Sequence, residues 1–286
     1  MRRLAVIYKE MNPIKKSPAG APLLSAILLL LIVPAAVRAG GQQEAASADR
    51  AKYVVEQGRI VVPDEIQIDS YISSINYMYP DPSGDLGISL YTGHKQISNT
   101  GQQELIQIGI QGKRRKFENL PAMNLAFVID ASGSMSDKHK IEWAKKAFDL
   151  FIERLRPQDT LSVVTFSAKP KLILRATKLA AIGDRQQLKQ KVHTVLAEGK
   201  SNLTAGLVAG YEQVLSFYRQ DHVNRVLFIS DGLGDSAGIL DAAQRYKRKG
   251  ISVSTIGVGM GVDLNLLIEL SKKGGGAHGL CPAQKR

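Results

Sequence analysis

The stretch Asn124-Leu125-Ala126-Phe127-Val128-Ile129-Asp130-Ala131-Ser132-Gly133-Ser134-Met135 sets one carboxylate and two hydroxyls at i, i+2 and i+4, directly after an apolar run. The run Leu125 to Ile129 reads as a buried strand, and the glycine between the serines is a turn former. Oxygen ligands on a loop at the C-terminal end of a strand lie where open α/β sheets build their binding sites. Asp130, Ser132 and Ser134 suit a small hard cation such as Mg²⁺, which takes oxygen ligands and keeps some of its waters. Asp/Ser/Gly strings also make ordinary turns, so the pentapeptide alone leaves both readings open.

The pattern D-x-S-G-S after a buried strand resembles the metal-ion-dependent adhesion site of von Willebrand factor type A (VWA) domains. That resemblance implies two further loops at long spacing. Gly199-Lys200-Ser201-Asn202-Leu203-Thr204-Ala205-Gly206-Leu207 is similar to the family pattern G-G-T-N-L-x-x-G-L, with Ser201 at the threonine position. Arg225-Val226-Leu227-Phe228-Ile229-Ser230-Asp231-Gly232 supplies an aspartate, Asp231, at the end of another apolar strand. By resemblance, Ser132 and Ser134 coordinate Mg²⁺ directly, with Mn²⁺ or Ca²⁺ as the other candidates. Asp130 and Asp231 hold its waters or bind it, and Ser201 completes the site when a ligand engages. The chain departs from the pattern at Lys200, for glycine, and at Ser201. Serine keeps the hydroxyl but lacks the methyl that stiffens χ1, which favours weaker metal binding.

From Pro121 onward the elements that must position these loops alternate. Helices are expected at His139 to Leu155, Asp184 to Leu196, Thr204 to Tyr218, Asp235 to Lys249 and Asp263 to Lys272. Strands are expected at Thr160 to Phe166, Lys171 to Arg175 and Ile251 to Gly259. Lys171 to Arg175 follows its predecessor too closely for a helical crossover, so it should pair antiparallel at an edge. This is an α/β order, a doubly wound, mostly parallel sheet flanked by helices, and it resembles VWA domains across residues 121 to 275. The family ends on one more strand. Here Pro282 argues against a long central strand, so the last strand is expected to be short or missing, leaving Ile251 to Val258 as an open, self-associating edge.

The formal charge of the 286 residues is +12. Residues 1–39 hold six Lys/Arg and one Asp/Glu, so the remainder has 32 basic against 25 acidic residues, a net +7. The basic run from Arg245 to Lys249 falls at a helix end, where cations suit the dipole. No aromatic-interleaved surface accompanies it or Lys113 to Lys116, so nucleic acid is not an expected partner. Basic residues from Arg2 to Lys16 precede an apolar run from Pro22 to Val37, with small residues at Val37-Arg38-Ala39. Residues 1–39 therefore read as a cleaved secretory signal, with an uncleaved membrane anchor as the alternative. The sole cysteine, Cys281, excludes an intrachain disulfide.

Residues 40–50 read as a linker and 51–120 as a β-rich flank, with strand character at Arg59 to Val62 and Gln103 to Gln111 and a turn at Tyr79 to Gly84. Tyr71 to Pro80 and Ile108 to Lys113 resemble the N-terminal flank of an exported bacterial VWA subgroup. The VWA domain is assigned to 121–280 and a tail to 281–286.

Gly257-Val258-Gly259-Met260-Gly261 imitates a dinucleotide loop but lies at the last crossover and lacks the following glycine, residue 262 being Val. The five histidines (His94, His139, His193, His222, His278) are scattered, which argues against zinc. There is no G-x-S-x-G elbow. The expected function is therefore non-enzymatic: an extracytoplasmic module that binds a protein ligand's acidic side chain through its cation. The alternatives are a structural envelope component with a vestigial metal site and a metal-dependent hydrolase using Asp137 or His139.

Overall fold

The computed structural model describes residues 78–93, 105–114 and 117–281, with Val55, Gly58 and Ile60 as isolated positions before them. The signal and linker segments and most of Arg59 to Val62 lie outside the described residues.

Two strands come first. β1 (Leu86–Thr92) and β2 (Ile106–Gly112) pair antiparallel, with Ile88 opposite Ile110 and Leu90 opposite Ile108. The chain then enters a six-stranded sheet. Its elements are β3 (Met123–Asp130), α1 (Lys140–Arg154), β4 (Thr160–Phe166), β5 (Pro170–Lys178), α2 (Arg185–His193) and α3 (Leu203–Ser216). They continue with β6 (Val223–Ser230), α4 (Ile239–Lys247), β7 (Ser252–Val258), α5 (Leu264–Lys273) and β8 (Gly275–Cys281).

The strand order is β5-β4-β3-β6-β7-β8, parallel except where β5 runs against β4 at the edge. The expected doubly wound sheet is present, and the short connection after Phe166 gives the antiparallel edge that its length required. β3 and β6, which carry Asp130 and lead to Asp231, lie side by side in the middle. Alternation along β3 sends Leu125, Phe127 and Ile129 to one face, under α1 and α2, where Phe127 packs on Phe148 and Phe151. Ala126 and Val128 go to the other face, under α3, α4 and α5, beside Phe166, Phe228, Tyr211 and Tyr246. Both faces are thus covered, which is why the central strands read as continuous apolar runs.

Below the sheet, Asp159 accepts the Met123 N–H at 2.9 Å and a hydrogen bond from Arg156 Nη2 at 2.8 Å. The Arg156 guanidinium also donates to the carbonyls of Phe117, Leu120 and Pro121. This buried ion pair fastens the chain just before it enters β3.

The C-terminal expectation is corrected. β8 is a seven-residue strand paired parallel to β7, with Ile256 opposite Gly279 and Val258 opposite Cys281, so β7 is not an edge. The glycines are the reason. A Cβ on Gly276 would lie 1.8 Å from the Val253 carbonyl oxygen, so only a bare backbone can approach there. Ala277, Leu280 and Cys281 then turn inward to the two cores. β8 reaches Cys281, the last described residue, before Pro282 in the sequence. Helices end one to four residues inside their expected limits at several ends: α4 begins at Ile239, because residues 231–238 form the connection after β6.

Candidate metal centre

Three loops meet above the C-terminal ends of β3 and β6. The first, residues 131–139, leaves β3; the second, around Ser201, precedes α3; the third, from Asp231, leaves β6. Backbone hydrogen bonds clip them together. Gly133 N–H donates to Gly199 O at 2.9 Å and Glu198 N–H to Ala131 O at 2.9 Å, joining the first two. Asp235 N–H donates to Ser201 O and Leu203 N–H to Asp235 O, both at 2.9 Å, joining the second and third. Asn202, beside Ser201, caps α3 by accepting from the Ala205 N–H at 2.9 Å, which fixes where the serine sits.

All five sequence-predicted residues are brought to this junction. The Asp130 carboxylate is buried; Oδ1 accepts the Ser132 N–H at 2.9 Å, and Oδ2 accepts from Ser201 Oγ at 3.3 Å. Ser132 Oγ and Ser134 Oγ lie 3.2 Å apart. Asp231, also buried, takes the Leu233 N–H on Oδ1 at 3.1 Å. Burial pushes the Asp130 carboxyl above its ordinary range; hydrogen bonds from Ser132 and Ser230 pull it down, and the Asp231 charge adds to the rise. A cation bound beside so buried a carboxylate would favour its ionised form.

Two residues at the site escaped the sequence reading. Ser230 Oγ donates to Asp130 Oδ2 at 2.6 Å and accepts the Gly232 N–H at 2.9 Å. It locks β6 to the key carboxylate, and its only sequence signal was a hydroxyl at the end of an apolar strand. Lys140 Nζ reaches Asp231 Oδ2 at 2.8 Å and the Ser134 carbonyl at 3.2 Å. A lysine in a run of charged residues at a helix start carries no signal of burial.

The donor set is oxygen from two carboxylates and three hydroxyls, with no sulfur or imidazole. Among the described residues no group of three or more His, Cys, Asp or Glu side chains could hold a metal ion. A hard divalent cation fits the chemistry of the set.

The family model for the von Willebrand factor type A domain matches residues 124–279, from the middle of β3 into β8. The chain belongs to this family. Its VWA domain is 30% identical over 163 residues to the uncharacterized protein YfbK of Escherichia coli, an alignment covering 55% of this chain and 28% of that protein. It is 26% identical over 181 residues to the uncharacterized protein sll0103 of Synechocystis, covering 61% of this chain and 41% of the relative. The chain thus spans well under half the length of these curated relatives. The solved von Willebrand factor type A structure from Catenulispora acidiphila superposes with a TM-score of 0.52 at 15% identity, covering 69% of this chain and 46% of that one. At that identity the likeness shows the VWA fold alone.

Proposed function

We propose that this VWA domain binds a divalent cation, Mg²⁺ in the first place, at Asp130, Ser132, Ser134, Ser201 and Asp231, and engages an acidic side chain of a protein partner through it. The observation that carries this reading is the convergence of five oxygen-bearing side chains from three loops that are held by backbone hydrogen bonds independently of any ion. Asp130 is already occupied by three donors, and the 3.2 Å separation of the Ser132 and Ser134 hydroxyl oxygens supports reading them as the direct ligands. Two carboxylates do not exceed a dication's charge, so an acidic group on a partner is not repelled.

The work such a site does is binding, and the module is proposed to act outside the cytoplasm, consistent with the basic-then-apolar N-terminal segment. Among the described residues no helix is long and apolar enough to cross a membrane. Calorimetric titration with Mg²⁺ tests the site: the protein should bind and an Asp130→Ala variant should not. Capture of a partner from intact cells should be abolished by EDTA.

The hairpin favours a second reading, in which the flank makes the contacts. Leu86, Ile88, Leu90, Ile106, Ile108 and Ile110 are all exposed, and an apolar surface of this kind marks an interaction site. Capture that survives EDTA and Asp130→Ala, but not Ile88→Ser with Ile108→Ser, would favour that reading.

A further inference from the structure

Resting on the metal reading above, we propose that Lys140 is a built-in counter-ion of the site, which claims Asp231 in competition with the divalent cation and keeps that carboxylate out of direct coordination. The Lys140 and Asp231 side chains are 7% and 0% exposed. A lysine is rarely buried unless its charge is matched. The match here is a carboxylate at the metal junction, not a structural partner elsewhere.

Two further features point the same way. Lys138 and His139, directly before Lys140, have φ values of 49° and 58°, the left-handed region that side chains other than glycine seldom occupy. The α1 N-terminus gains no side-chain cap from this strained turn. What the turn does deliver is the first residue of α1 with its ammonium on Asp231. Strain of this sort persists only where the surroundings enforce it, and it gathers at functional sites. The second feature lies across the sheet, at the end of β7. Gly259 has φ +93°, and a Cβ there would come within 2.9 Å of Lys140 Cε. The glycine motif that imitates a dinucleotide loop therefore has a role here: Gly259 opens the passage through which the Lys140 stem reaches Asp231.

The chemical consequence follows from counting charge. Asp130, Asp231 and Lys140 sum to −1, so a divalent cation leaves the centre at +1 and attractive to a partner carboxylate; without Lys140 it would be neutral. Lys140 holds Asp231 Oδ2 and the Leu233 N–H holds Oδ1, so a cation at the serine hydroxyls would compete with both for this carboxylate. Lys140 thus exchanges tight metal binding for a metal that remains electrophilic.

The experiment is Mg²⁺ titration of the full chain by calorimetry, for wild type, Lys140→Met and Lys140→Gln, with melting midpoints in EDTA and in Mg²⁺. Lys140→Met should bind Mg²⁺ at least about tenfold more tightly. Its midpoint in EDTA should fall, because Asp231 is left buried without its counter-charge, and Mg²⁺ should restore it. Lys140→Gln keeps a donor to Asp231 without the charge, so it should tighten Mg²⁺ binding even if the methionine variant does not fold. Mg²⁺ binding by wild type that is unchanged or weakened in the variants overturns the role of Lys140 and leaves the metal site standing. No Mg²⁺ binding by any of the three overturns both. Binding by the variants but not by wild type would support Lys140 as the site's resident cation.

Discussion

The β3–β8 sheet and the β1–β2 hairpin are built from the same kind of aliphatic residue and place it in opposite surroundings. Every residue of β3 is buried, its two faces closed by helices on both sides. In the hairpin, Leu86, Ile88 and Leu90 share one face with Ile106, Ile108 and Ile110, and these six side chains are 59–66% exposed. Tyr79 takes the opposite face, stacking on Tyr91 and lying so close to Gly109 that a Cβ would meet its ring. Alternation therefore selects a strand and sorts its faces, but burial needs a second layer, and among the described residues none covers the aliphatic face of the ribbon.

The difference is open to measurement. Phe127→Ala, under the α1 ring cluster, should cost about 3–5 kcal/mol in denaturant unfolding. Ile108→Ala should change stability by no more than about 0.5 kcal/mol. A hairpin substitution as costly as the core one would mean that the exposed face is covered in the folded protein, and the contrast would collapse. Asp159→Ala should come close behind Phe127→Ala, at about 3 kcal/mol, because it strands the buried Arg156 guanidinium and frees the Met123 N–H. Differential scanning calorimetry with a probe on the flank would show whether the hairpin also loosens once this strap is cut.

Smaller effects separate the site from its scaffold. Mg²⁺ at one hundred times its dissociation constant should raise stability by about 2.7 kcal/mol, a gain that EDTA removes and Asp130→Ala never shows. The same gain should appear when the hairpin carries Ile88→Ser and Ile108→Ser. The least disruptive change is Tyr211→Phe in the face under α3. The Tyr211 hydroxyl is buried without a hydrogen-bond partner among the described residues, and that burial pushes its phenol upward. Its ring stacks on Tyr246 with centroids 4.3 Å apart, a contact phenylalanine keeps. The melting midpoint should hold or rise slightly, by the equivalent of up to about 1 kcal/mol.

The fold was legible where one residue type did one job. Leu125 to Ile129 read as a strand buried on both faces, which is how β3 is built, and Asp130 proved to be its last residue, one step before the loop. Ser201 and Asp231 became candidates through family likeness, not through local physics, since a serine before a helix and an aspartate after a strand are ordinary caps and turns. Ser230 and Lys140 were hidden because their significance is a contact across the chain, which no local pattern carries. β8 was misjudged because Pro282 was weighed against a strand that is already seven residues long at Cys281, and because no local pattern shows that the missing Cβ of Gly276 lets the backbone approach Val253. β1 was not among the expected strands; its alternation is short, Leu86, Ile88 and Leu90, and begins directly behind the turn at Tyr79 to Gly84.

The hydrogen bond from Ser230 to Asp130 joins residues separated by 100 positions of chain. Closing so large a loop is slow compared with forming the β4–β5 hairpin. The oxygen cluster is complete only once β3 and β6 have paired. A cation that recognises this cluster meets it too late to hasten folding; it would instead retard unfolding. In a chevron plot Mg²⁺ should lower the unfolding arm and leave the refolding arm where it stands, making the ion a latch on the finished domain.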